Sequence, residues 1–168
     1  MKINREFERA IRHELQDIMP NVILPKDDGT YEVFGKCQII PEHPGYTVLC
    51  HATTVGFFSS TRAALSWCIA DKYQDYNLTK DILLLDNKLA GLTNDINARA
   101  AIADRSGNPD FREYVATKLE TKMIHKKIVE NQLTNCINLA KYLQQRGFTN
   151  ETQRIGRGQP NKTSRQGI

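Results

Sequence analysis

Apolar residues return every third or fourth position at the start of the chain, at Ile3, Phe7, Ile11, Leu15 and Ile18. That spacing puts them on one stripe of an α-helix, and Pro20 stops the helix soon after. Arg5, Glu6, Arg9, Arg12 and Asp17 lie off the stripe, toward water. The pattern then shortens. β-Branched and aromatic residues gather in short runs at 22–24, 31–34, 37–40, 46–50 and 53–58. Turn signals separate them, Lys26-Asp27-Asp28-Gly29 first and Pro41-Glu42-His43-Pro44-Gly45 second. This is the signature of an antiparallel meander of about four strands.

The period lengthens again at Ser59-Ser60-Thr61, whose hydroxyls suit a helix start. The next helix is apolar nearly all round from Ala63 to Ala70, which predicts burial, packed on the sheet. A long run follows in which Leu78, Ile82, Leu85, Leu89, Leu92 and Ile96 alternate steps of four and three, a heptad seam. Gly91 interrupts it and weakens the helix by up to about 1 kcal/mol relative to alanine. Ser106-Gly107-Asn108-Pro109 ends this helix. A further run over 110–146 carries Phe111, Val115, Leu119, Ile124, Ile128, Leu133, Ile137, Ala140 and Leu143, with Gly147 as the expected C-cap. So short a connection predicts an antiparallel helical hairpin. Its second helix would reach on the order of 50 Å, beyond a compact body of this size. Pairing with a second copy through the seam Leu78, Ile82, Leu85, Leu89, Leu92 and Ile96 is therefore expected.

The pattern adds up to an α+β fold: N-terminal helix, small antiparallel β-meander, buried helix, then the long antiparallel helical hairpin. One domain spans 1–148. Beyond it, 149–168 is rich in Gly, Asn, Gln, Arg and Ser with only Ile155 and Ile168 apolar, too little to offset the entropy of ordering. A flexible tail is expected there.

Composition changes this picture at three points. With 168 residues, 40% hydrophobic and 25% charged, the chain supports one core and excludes wholesale disorder. Of the net charge of +4, the tail holds +3, because Arg154, Arg157, Lys162 and Arg165 face only Glu151. The body is nearly neutral, so a nucleic-acid contact, or equally a protein partner, is expected through those four tail residues. The cysteines, Cys37, Cys50, Cys68 and Cys136, form no C-x-x-C pair. No apolar run approaches the roughly 20 residues of a membrane span. A reduced cytoplasmic protein without membrane attachment is expected.

Catalytic signatures are scarce. Phosphate-binding glycine loops, a nucleophile elbow and H-E-x-x-H are all missing. Glu120 and His125 stand five apart, so they miss the Glu-x-x-His spacing of a di-metal bundle. Cys50, His51 and His43 are the candidates for a small Cys/His enzyme, since a thiolate needs a neighbouring base or cation. Adjacent strand residues point to opposite faces, which separates Cys50 from His51. Cys37, Cys50, Cys68 and His43 lack the close ligand pairs of structural zinc sites, so no metal and no cofactor is expected. Trp67 fits a core anchor. The strand aromatics Tyr31, Phe34, Tyr46, Phe57 and Phe58 lack the basic groove that base stacking needs.

Two stretches, 58–70 (FSSTRAALSWCIA) and 140–152 (AKYLQQRGFTNET), resemble small uncharacterised proteins of marine T4-like phages. The likeness runs from the strands to about Arg154. It implies a viral protein made in a bacterial host cytoplasm and carries over no catalytic residue. The expected function is that of a non-enzymatic structural, assembly or interaction protein acting as a homo-oligomer. The alternatives are a nucleic-acid-binding accessory protein using its tail and the Cys/His enzyme.

Overall fold

The structure, a computed structural model, describes Arg9 and residues 23–166, with side chains through Gly147. The expected N-terminal helix lies outside the described residues. The rest is α+β: a five-stranded antiparallel sheet followed by three helices.

Strands β1 (Ile23–Pro25), β2 (Tyr31–Val33), β3 (Cys37–Glu42), β4 (Gly45–Cys50) and β5 (Thr53–Phe58) lie side by side in chain order. Local chemistry closes each turn. Between β1 and β2, Asp28 Oδ1 accepts from Thr30 N at 3.0 Å and Thr30 Oγ1 at 2.6 Å, and Gly29 takes φ 86°. Between β2 and β3, Phe34 and Gly35 have φ 56° and 71°, the left-handed pair of a type I′ turn. The β4–β5 turn is made by His51 and Ala52, at φ 53° and 62°. Neither residue is a turn former, and their reversal of the chain helps give five strands rather than about four.

Register decides the core face. Ile23, Val33, Cys37 and Cys50 stand in one cross-strand row; Tyr31, Ile39 and Val48 form the next. All are buried, with Tyr46 and Phe58 beyond them. On this face lies α1 (Thr61–Lys72), started by Ser60, whose hydroxyl accepts from Ala63 N at 3.2 Å. It touches β4, β5 and both later helices, so its residues from Ala63 to Ala70 are buried all round, as their composition predicted.

Asp75 caps α2 (Tyr76–Arg105), accepting from Leu78 N at 3.1 Å. Asn108 caps α3 (Pro109–Gln166), with Pro109 in the first turn, where its missing N–H costs nothing. The two helices pack on each other, with Asp95 of α2 bonded to Lys122 of α3 at 2.5 Å and the Asp104 carbonyl accepting from Arg112 at 3.5 Å. Gly147 does not end α3, which continues through Gln166. A Cβ at Gly147 would run into the ring and hydroxyl of Tyr73. The glycine serves close approach, beside the hydrogen bond from Tyr73 OH to Gln144 Oε1 at 3.2 Å.

Gly91 has no such role: nothing lies within 4 Å of a Cβ placed there. Gly91→Ala is expected to raise stability by about 0.5–1 kcal/mol through helix propensity and a less flexible unfolded chain. Urea unfolding checks this, and a loss of stability would refute it.

Candidate functional site

Cys37 and Cys50 are directly opposed across β3 and β4. The neighbouring pair, Lys36 and His51, is joined by a backbone bond, His51 N–H to Lys36 O at 3.2 Å. Antiparallel pairs alternate between bonded and non-bonded. Cys37 and Cys50 therefore form a non-bonded pair, the kind with the closest side chains, and their sulfurs lie 2.9 Å apart. Both point into the core under the last turn of α1. From that turn Asp71 reaches down, its Oδ2 at 3.3 Å from Cys50 Sγ and 4.0 Å from Cys37 Sγ. Lys36 closes the edge, with Nζ at 3.6 Å from the same oxygen. Cys68, one helical turn before Asp71, is fully buried.

The electrostatics oppose an activated thiol. Cys68 foremost, then burial, pushes the Cys37 thiol far above its ordinary range. Burial, with Cys37 and Asp71 adding to it, does the same to Cys50. Both are protonated at neutral pH, the reverse of what a nucleophile requires. The histidines do not alter this. His43 lies in the β3–β4 turn, at the opposite end of the hairpin from the Cys37–Cys50 pair. His51 follows Cys50 but is exposed in the β4–β5 turn. Cys50, His51 and His43 are not brought together; Cys50 meets Cys37 and Asp71 instead. The zinc quartet considered with His43 is likewise not assembled, although two of its cysteines, Cys37 and Cys50, meet.

A second buried charge sits elsewhere. Asp86 of α2 accepts from Ser59 N and Ser59 Oγ, both at 2.8 Å, and so ties α2 to the end of β5. Burial raises its carboxyl above the usual range, and the two Ser59 bonds pull it partly back. These bonds brace the start of α1.

The expected oligomer seam is used inside the chain. Leu78 and Ile82 are in the core, Leu85 and Leu89 pack against it, and Leu92 and Ile96 are half-buried. The residues α3 turns inward are Val115, Val129, Leu133, Ile137 and Ala140. Ile124 and Ile128, expected on the inward stripe, are 60% and 51% exposed. The step of five from Leu119 to Ile124 rotates them onto the other face. There they join Thr117, Thr121, Asn131, Asn135, Asn138 and Tyr142 in unbroken steps of four and three, all exposed and none charged. Leu139 lies beside this line, 47% exposed.

Trp67, Tyr31, Tyr46 and Phe58 are core residues, and Phe34 lies under the Lys72 ammonium, 4.5 Å from its ring centroid. Arg154, Arg157, Lys162 and Arg165 lie on the last part of α3, where side chains are outside the described set. Among the described residues no helix is long and apolar enough to cross a membrane. The chain matches no protein-family model, no curated protein and no solved structure.

Proposed function

We propose that the protein is a non-enzymatic assembly or interaction protein that acts as a homo-oligomer. Helices α2 and α3 form an antiparallel hairpin, and the outer face of α3 is the contact between copies. The supporting observation is the exposed heptad line from Thr117 to Tyr142, which carries no charge over its whole length. A helix already packed on one side, with a charged surface elsewhere, has no solubility reason to keep a second face neutral. Against its own copy such a face meets no like charge, and Asn131 and Asn135 can pair across the contact to set register, at some cost in stability. At 58 residues α3 is on the order of 90 Å long. On the resemblance to phage proteins, we infer that this assembly works in a bacterial host cytoplasm.

Sedimentation velocity of the full chain at tens of micromolar tests the reading. An oligomer is expected, and Ile124→Glu with Ile128→Glu should weaken it by roughly 100-fold or more, since each copy would bury unpaired charge. Both positions are exposed, so the circular dichroism of the monomer should not change. A monomeric wild-type chain would refute the proposal.

The concentration of charge in 149–168 favours one other reading, a nucleic-acid accessory protein whose arm is Arg154, Arg157, Lys162 and Arg165. Salt-sensitive binding to a DNA or RNA duplex, lost on removing 149–168, would move it to first place.

A further inference from the structure

Two thiols and a carboxylate converge where α1 crosses the β3–β4 hairpin, with a third buried thiol, Cys68, one helical turn before the carboxylate. We propose that Cys37, Cys50, Cys68 and Asp71 form a binding site for a thiophilic divalent cation, zinc in particular, which fastens α1 to the sheet.

The geometry fits first. Four donors at 2.0–2.3 Å around a tetrahedral ion stand roughly 3.3–3.8 Å from one another. The atoms of Cys37, Cys50 and Asp71 all lie within 4.8 Å of each other, and their separations of 2.9, 3.3 and 4.0 Å bracket that range. Small side-chain rotations suffice to admit an ion. Cys68, fully buried, shares one face of α1 with Asp71, three residues on, and is the thiol that can turn in as the fourth donor. Cys37, Cys50 and Asp71 stand on regular elements, two on paired strands and one on a helix, which fixes them before any ion arrives.

The donor chemistry selects the ion. Sulfur-rich sets with one oxygen suit zinc; calcium and magnesium want oxygen alone. Three thiolates and a carboxylate around Zn²⁺ leave an excess of two negative charges. The Lys36 ammonium, 3.6 Å from Asp71, offsets part of it and orients the carboxylate from outside the ligand set. The Cys37 and Cys50 thiols are pushed up in this setting. Binding exchanges the three S–H protons for one Zn²⁺ and releases them to solvent, with no change of oxidation state.

A Cys37–Cys50 disulfide is the competing use of the same pair. It would leave Cys68 and Asp71 without a part, and a carboxylate beside the thiols suppresses the thiolate that begins oxidation.

The test uses the full chain, made in zinc-supplemented medium, purified under mild reduction without chelator and dialysed. One zinc per chain is expected by elemental analysis. Replacement with Co²⁺ should give the intense near-ultraviolet thiolate-to-cobalt band and the visible bands of a tetrahedral ion. Asp71→Asn, at a partly exposed side chain, should weaken zinc binding by roughly tenfold or more with unchanged circular dichroism. Substoichiometric zinc in the wild type, a cobalt spectrum without the thiolate band, zinc binding unaffected by Asp71→Asn, or a Cys37–Cys50 disulfide formed under mild reduction would each overturn the proposal. The cobalt spectrum of the wild type decides the matter even where a cysteine variant fails to fold.

Discussion

Phe58→Ala is expected to lower folding stability by about 3–5 kcal/mol, a large part of the 5–15 kcal/mol that a typical domain holds. Among the described residues Phe58 is the largest fully buried side chain, and it closes the core at the end of β5. Truncating it removes apolar burial and leaves a void. The cost depends on how far the surroundings collapse into that void. Here collapse is resisted on both sides. Tyr46 is held opposite Phe58 by the β4–β5 pairing. On the other side, Ser59 is fixed by two bonds to Asp86, and Ser60 caps α1. A backbone pinned by its next two residues cannot move inward, so the loss should fall in the upper half of the range. Urea unfolding should show a lower midpoint with an unchanged slope, and the melting temperature should drop by on the order of 10 °C. A loss below about 1 kcal/mol would mean that the Ser59–Asp86 anchor does not hold.

Those anchors also show which parts of the fold can be read from the chain. Asp28-Gly29, the Ser60 cap and the Ser106-to-Pro109 break are local devices: a few adjacent residues contain both the cause and its effect. They placed the first hairpin, the start of α1 and the boundary between α2 and α3 correctly. His51-Ala52 turns the chain with two residues that carry no turn preference, because the β4–β5 pairing on either side imposes the left-handed backbone. Gly147 resembles a helix stop in sequence, yet its reason is the ring of Tyr73, 74 positions away. Ile124 and Ile128 resemble core residues until the inward line is fixed by Val129, Leu133 and Ile137, which leaves them outside. Hydrophobicity shows that a residue prefers cover; only the packed structure shows whether the cover comes from the same chain.

The sulfur cluster follows the same logic at longer range. Each cysteine taken alone is a small apolar residue in an apolar run. What joins two of them is register. Once the hairpin turn is placed at His43-Pro44, Cys37 and Cys50 are equidistant from it and must face each other. That signal was present in the spacing. Asp71 had no comparable signal, since an acid at the end of an apolar helix reads as a solvated cap. Its role depends on the crossing of α1 over β3 and β4, which no local pattern encodes.

Gly45→Ala is the second large effect, and its sign is opposite to that of the same change at Gly91. A methyl group at Gly45 would meet the carbonyl oxygen of Phe58 and two ring carbons of Phe57, the latter at 2.7 and 3.0 Å. A ring can turn aside. The Phe58 carbonyl cannot, because it belongs to β5 and the Tyr46–Phe58 pairing holds it in place. The added carbon must therefore push two paired strands apart where the β3–β4 turn ends and where Phe58 enters the core. Overpacking of this kind costs typically 1–3 kcal/mol, and a main-chain obstacle places Gly45→Ala at about 3 kcal/mol. Measured side by side in urea, Gly45→Ala should unfold at a much lower concentration than the wild type and Gly91→Ala at a slightly higher one. The same substitution then separates a glycine required by close approach from one that a helix merely tolerates. Equal and small effects at both sites would mean that β4 and β5 are not as close at Gly45 as the pairing requires, and the β5 end that carries Phe58, Ser59 and the α1 cap would have to be redrawn.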